Sequence, residues 1–167
     1  MKRTAELGFL LAVALILSYV ESLIPLTFGI PGIKLGLPNL IVVLLLYNGK
    51  KSLTGAREAV LVNGMRIILS GFLFGSLYSI LYALAGAALS LMVMVFAKKC
   101  SCFSMLGVSV LGGVFHNVGQ IIVAMFVVET FAVLYYLPFL IISGVVTGAL
   151  LGLVGMETQP YLQRHDL

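Results

Sequence analysis

Charge is what this chain has least of. Its 167 residues carry ten lysines and arginines and six acidic residues, and the single aspartate is Asp166 in the tail. Without a cluster of aspartates nothing is set up to hold a magnesium diphosphate, and the chain has no H-E-x-x-H. Around "YNGKKS" a phosphate-binding loop needs Gly at position 44 and Ser or Thr at 51, but Leu44 and Lys51 stand there, so no ATP hydrolysis is expected. The only cysteines, Cys100 and Cys102, form a C-x-C beside Lys98 and Lys99 with no further Cys or His nearby. That is a poor zinc site and reads better as two free thiols. The expectation is a chain that is not an enzyme and uses no metal or cofactor.

What the chain has in excess is apolar surface, with 61% hydrophobic residues and a mean hydropathy of +1.16. A soluble domain of this size would have too little polar exterior to show water. The class is therefore integral membrane protein, one all-α domain over 1–167 embedded in the lipid bilayer of the cell membrane. The start, Met1-Lys2-Arg3 and then an apolar run from Leu7, resembles a secretory signal. No clean cleavage site follows at Ser18-Tyr19-Val20-Glu21, so it reads as an uncleaved first helix. The net charge of +4 lies largely in short juxtamembrane pairs; these set orientation, and no nucleic-acid partner is expected.

Apolar stretches predict six helices at about 5–25, 37–48, 55–72, 76–97, 104–127 and 131–155. The second and third are shorter than the roughly 20 residues of a perpendicular span. Adjoining loop then lies at membrane depth, covered by protein or lining a cavity. The candidate loop is "IPLTFGIPGIKLGLPNL", ahead of helix two. With both termini cytoplasmic, Lys2, Arg3, Lys50, Lys51, Arg57, Lys98, Lys99 and Arg164 fall inside and only Lys34 outside.

Against this background, "GGVFHNVGQIIVAMFV" (residues 112–127) carries His116, Asn117 and Gln120 in a run otherwise fit for lipid. Each polar group left unpaired in hydrocarbon costs roughly 2–7 kcal/mol. At 100° per residue the three share one sector with Gly113. Helix three repeats the pattern with Asn63, Arg66 and Ser70, while Glu21, Lys34 and Asn39 sit at the outer ends of helices one and two and in the loop between them. One reading is structural, with Arg66 paired to Glu21 or Glu129 and His116 to a carbonyl. The favoured one is a ligand cavity in the outer half of the bundle, because three helices and a loop bring polar groups to one depth. A small amphipathic or anionic molecule would rest among Lys34, Asn39, Asn63, Arg66, His116, Asn117 and Gln120, with Tyr78 and Phe74 stacking on a ring. A proton relay through His116 lacks a second buried acid.

Gly144, Gly148 and Gly152 form a continuous G-x-x-x-G-x-x-x-G, expected to pack within the chain. Gly8 and Ala12 make a second small pair on helix one, which either packs inside the bundle or docks another membrane subunit.

"PGIKLGLPNLIVVLLLYNG", "FGSLYS" and "HNVGQ", in this order, resemble the family labelled heptaprenyl diphosphate synthase component I, also called Gx transporter proteins. That family in turn is similar to the substrate-binding S-components of energy-coupling-factor transporters. The resemblance implies a six-helix bundle that binds a vitamin, cofactor precursor or isoprenoid-like molecule near the outer face. It also implies a separate transmembrane coupling subunit and paired ATPases as partners. S-components often carry A-x-x-x-A on helix one for that subunit; Gly8 and Ala12 stand there. The synthase label implies an alternative, a non-catalytic membrane scaffold for an isoprenoid- or quinone-linked enzyme, docked through Lys50, Lys51, Arg57, Lys98 and Lys99.

Overall fold

Long apolar runs punctuated by Ser, Gly and Pro fold into six α-helices in the computed structural model, which describes residues 2–24, 35–48, 52–100 and 102–164. The helices are α1 (Lys2–Leu23), α2 (Asn39–Asn48), α3 (Ser52–Phe74), α4 (Leu77–Lys99), α5 (Met105–Val128) and α6 (Leu137–Arg164). A 3-10 turn over Phe131–Tyr136 leads into α6. Among the described residues four segments are long and apolar enough to cross a membrane: Arg3–Leu23, Leu77–Lys99, Met105–Val128 and Phe131–Leu162. Large apolar side chains such as Phe72, Phe96 and Phe126 point outward, which suits lipid and not water. These are the properties of a membrane protein.

Local chemistry sets the helix ends. Ser76 caps α4, its hydroxyl accepting from Ser79 N at 3.2 Å while Ser79 Oγ accepts from Ser76 N at 2.9 Å, so two orphan amides are satisfied reciprocally. Ser104 caps α5 by accepting from Gly107 N at 3.3 Å. Glu129 ends α5 in a left-handed conformation, φ 53°. The third helix is longer than its apolar stretch, 23 residues in place of a short span. Near its polar start Glu58 is engaged by Arg3 of α1.

Helices consecutive in the chain alternate in direction. Ser90 of α4 bonds Gly112 of α5, and Ser109 of α5 bonds Gly148 of α6. Arg3 and Tyr19 of α1 meet Glu58 and Phe74 of α3 in parallel register. One end of the bundle therefore gathers the start of α1 and the ends of α4 and α6, and with them Arg3, Arg57, Lys98 and Lys99. The opposite end carries no basic residue among those described.

The helix α2 explains where the core lies. "NLIVVLLLYN" is apolar all round, the signature of a helix buried on every side, and Ile41 through Leu46 are all at most 4% exposed. With Ala59, Val62, Ala97, Met105 and Val108 they form the main hydrophobic core, in the basic half of the bundle. Lys98 Nζ donates to the Leu46 carbonyl and lies over the Tyr47 ring, 4.9 Å from its centroid, which closes the end of α2. With only ten residues, α2 leaves the other half of the bundle without a central helix.

Candidate functional site

That other half holds a cavity of about 390 Å³, within the range of small-molecule sites. Close backbone packing brings its walls together. A Cβ on Gly144 would stand 2.8 Å from Gly113 O, and one on Gly148 2.7 Å from Ser109 O, so α6 and α5 meet backbone to backbone. Gly144, Gly148 and Gly152 thus pack within the chain. On the other side of α5, a Cβ on Gly86 of α4 would meet His116 O at 2.7 Å and Gln120 Cγ at 3.0 Å. These seams turn His116, Asn117 and Gln120 inward, and all three line the cavity.

From α3, Asn63 and Arg66 face the same space, joined by Arg66 Nη2 donating to Asn63 Oδ1 at 2.5 Å. Asn63 is 3% exposed. Arg66 Nε is buried with no hydrogen-bond partner among the described residues. From α2 comes Asn39, and from the turn ahead of it Gly36, whose φ of 68° suits glycine. Glu21 of α1 also lines the cavity, its Oε1 accepting from Gly36 N at 2.5 Å. The segment just before α2 is therefore held against both α1 and the middle of α6, where Leu151 lies near Gly36.

The structure thus brings Asn39, Asn63, Arg66, His116, Asn117 and Gln120 together around one space. Two expected members are not with them. Tyr78 is 61% exposed and lies outside the lining, because the first turn of α4 points it away and turns Ser79 inward instead. Lys34 lies outside the described residues. Phe74 does line the mouth, but its ring already packs on Tyr19 with centroids 5.4 Å apart.

The polar members differ in their engagement. Asn117 Nδ2 donates to Leu140 O at 2.6 Å, tying α5 to α6, so this residue has a structural task. Gln120 makes no hydrogen bond among the described residues. The cavity also holds hydroxyls that sequence reasoning missed, among them Ser90 and Ser109, 5% and 3% exposed. Lone serines in apolar helices carry no periodic signal. Each bonds a carbonyl across a helix seam, Ser90 at 2.8 Å and Ser109 at 2.7 Å.

Sequence comparison adds the family. The description of heptaprenyl diphosphate synthase component I matches residues 10–158. The chain belongs to that family. No curated protein and no solved structure matches it. The component I match runs from the first half of α1 into α6 and so includes all the cavity residues named above. Family and apolar bundle together make the chain a membrane-associated subunit, and the family's description is of one component among others.

Gly8 precedes the match and Ala12 lies within it. Both are exposed, and a Cβ on Gly8 would meet nothing within 4 Å. Packing of this pair inside the bundle is therefore excluded in this structure; the pair sits on an open face of α1, beside Phe9 at 64% and Ile16 at 61% exposure.

Proposed function

We propose that the chain is the substrate-binding membrane subunit of an energy-coupling-factor-type transporter, holding a small molecule in the cavity between α1 and α6. The observation that carries this reading is the hollow half of the bundle, where polar groups from all six helices converge on one space. A purely structural polar network would satisfy its members internally, yet Arg66 Nε and Gln120 find no partner among the described residues. Apolar lining from Ile67, Leu91 and Leu151 suits a vitamin, cofactor precursor or similarly sized amphipathic ligand. Its volume is at the small end for such sites, so a long isoprenoid tail would extend out of it.

In this reading the chain crosses the cell membrane six times, with α2 a half-length pass. The end bearing Arg3, Arg57, Lys98 and Lys99 is cytoplasmic by the positive-inside rule, and the cavity opens outward. Energy comes from elsewhere: a transmembrane coupling subunit with separate ATPases docks on the open face of α1 around Gly8 and Ala12. Ligand occupancy shifts the population between arrangements that this partner favours or disfavours. The test is to purify the protein in detergent, denature it and identify released small molecules by mass spectrometry, beside a thermal-shift library. A reproducible ligand supports the reading; an empty protein that no compound stabilises refutes it.

A second reading is favoured by the family's description as a synthase component: a non-catalytic scaffold for an isoprenoid- or quinone-linked enzyme. Its docking charges at the basic end would be Arg57 and Lys99, which are exposed, with Lys50 and Lys51, which lie outside the described residues. Lys98 is occupied by Leu46 O and Tyr47. Arg57→Glu with Lys99→Glu should abolish partner capture under this reading and leave ligand binding intact under the first.

A further inference from the structure

Two arginines in this protein provide an internal comparison. Arg3 has all three guanidinium nitrogens engaged: Nε donates to Glu58 Oε1 at 2.9 Å, Nη2 to Glu58 Oε2 at 2.5 Å, and Nη1 to Glu6 at 2.8 Å. The Nε side of the fork is filled by a carboxylate, the geometry arginine recognises best. Arg66 lines the cavity without such a carboxylate. Its Nη2 goes to Asn63, its Nε is buried without a partner, and no ion pair joins it to a carboxylate among the described residues.

A buried N–H of a charged group left unbonded is costly, and its bilayer setting raises that cost. No hydroxyl of the lining relieves it, since none lies within hydrogen-bonding distance of Arg66 Nε. Asn63 fixes the guanidinium from one side, since its carbonyl oxygen is committed to Nη2. Glu21 is within Coulombic reach of Arg66 but directs Oε1 at Gly36 N.

Building on the cavity-binding reading, we infer that Arg66 is the anion receptor of this site and that the ligand's charged end is a carboxylate. The carboxylate takes guanidinium donors of Arg66 that no described residue of the chain fills, the role Glu58 has at Arg3. Asn63 is a positioning residue, holding the guanidinium plane, and the ligand body lies along Ile67, Phe74 and Leu91.

The experiment is a thermal-shift titration of the purified full chain with matched probes: aliphatic and aromatic carboxylic acids, their primary amides, and phosphate monoesters of the related alcohols. Acids are expected to stabilise the wild type, with amides at least about tenfold weaker. Arg66→Gln should weaken the acids about ten- to a hundredfold, Arg66→Lys less, and the unliganded Arg66→Gln protein should melt no earlier than wild type. Asn63→Asp separates folding from binding, because a built-in carboxylate should raise the melting temperature while abolishing acid binding. Amides as good as acids, phosphates better than acids, or Arg66→Gln retaining acid binding would each overturn the carboxylate assignment and leave the cavity reading standing. A panel in which nothing stabilises the wild type would overturn both.

Discussion

The hydroxyl of Ser109 on α5 donates to the carbonyl of Gly148 on α6 at 2.7 Å, at the point where the two backbones touch. A Cβ on Gly148 would lie 2.7 Å from both Ser109 O and Val110 Cα. Because the obstacle is backbone, α5 and α6 must separate to accept it. Gly148→Ala should therefore destabilise the protein by about 1–3 kcal/mol. Gly8→Ala is the control, since open space surrounds that position; it should be neutral or gain up to about 1 kcal/mol from helix propensity. Equilibrium unfolding in detergent distinguishes the two.

At the basic end, Arg3→Met strips the buried Glu58, 7% exposed, of its fork. Breaking a fully buried pair costs about 3–5 kcal/mol, but the Arg3 side chain is 41% exposed, so solvent screens part of it. The expected loss is about 1–2 kcal/mol, and Arg3→Met with Glu58→Met should recover most of it because no carboxylate is then stranded. A double-mutant cycle on melting curves checks this.

Gln120 and Asn117 should separate under the same substitution. Asn117→Leu removes a helix–helix bond to Leu140 O, a loss of about 0.6 kcal/mol by the average for membrane proteins. Gln120→Leu removes no internal bond among the described residues and should leave stability unchanged or raised. Its cost should appear in ligand affinity, by about 1–3 kcal/mol, as a ligand group is left unpaired.

The open face of α1 supplies a functional contrast. Ala12→Leu adds bulk where the structure has room, so folding and ligand binding should survive. If a coupling subunit packs closely there, co-purification with it should fall at least tenfold. Equal recovery of the partner would place its docking surface elsewhere.

Much of this architecture was legible because hydrophobic runs define membrane helices almost by themselves. Five of the six helices fall within about three residues of the expected bounds, while α6 starts six residues later, after the 3-10 turn, and runs nine residues further; Asn63 with Arg66, or His116 with Gln120, share a face by helical spacing alone. What spacing does not carry is the rotation of a helix about its axis near a turn. Tyr78 and Ser79 are one residue apart, yet only Ser79 lines the cavity, and the capping of α4 by Ser76 decides which. Sequence left Gly8 with Ala12 undecided and placed Gly144 with Gly148 within the chain, and the two pairs look alike as strings. They differ because α5 supplies a matching backbone surface at Gly113 and Ser109, while nothing lies against Gly8. The buried Glu58 was illegible for a similar reason, since its partner is 55 residues away.

The central claim is that the hollow half of the bundle holds a small molecule. Native mass spectrometry of the full chain released from detergent tests it most directly, comparing wild type with Gln120→Leu and with Gly8→Ala. The account predicts a one-to-one adduct of constant mass on wild type and on Gly8→Ala, and much lower occupancy on an equally folded Gln120→Leu. Bare protein in all three, or an adduct that Gln120→Leu retains undiminished, would contradict it.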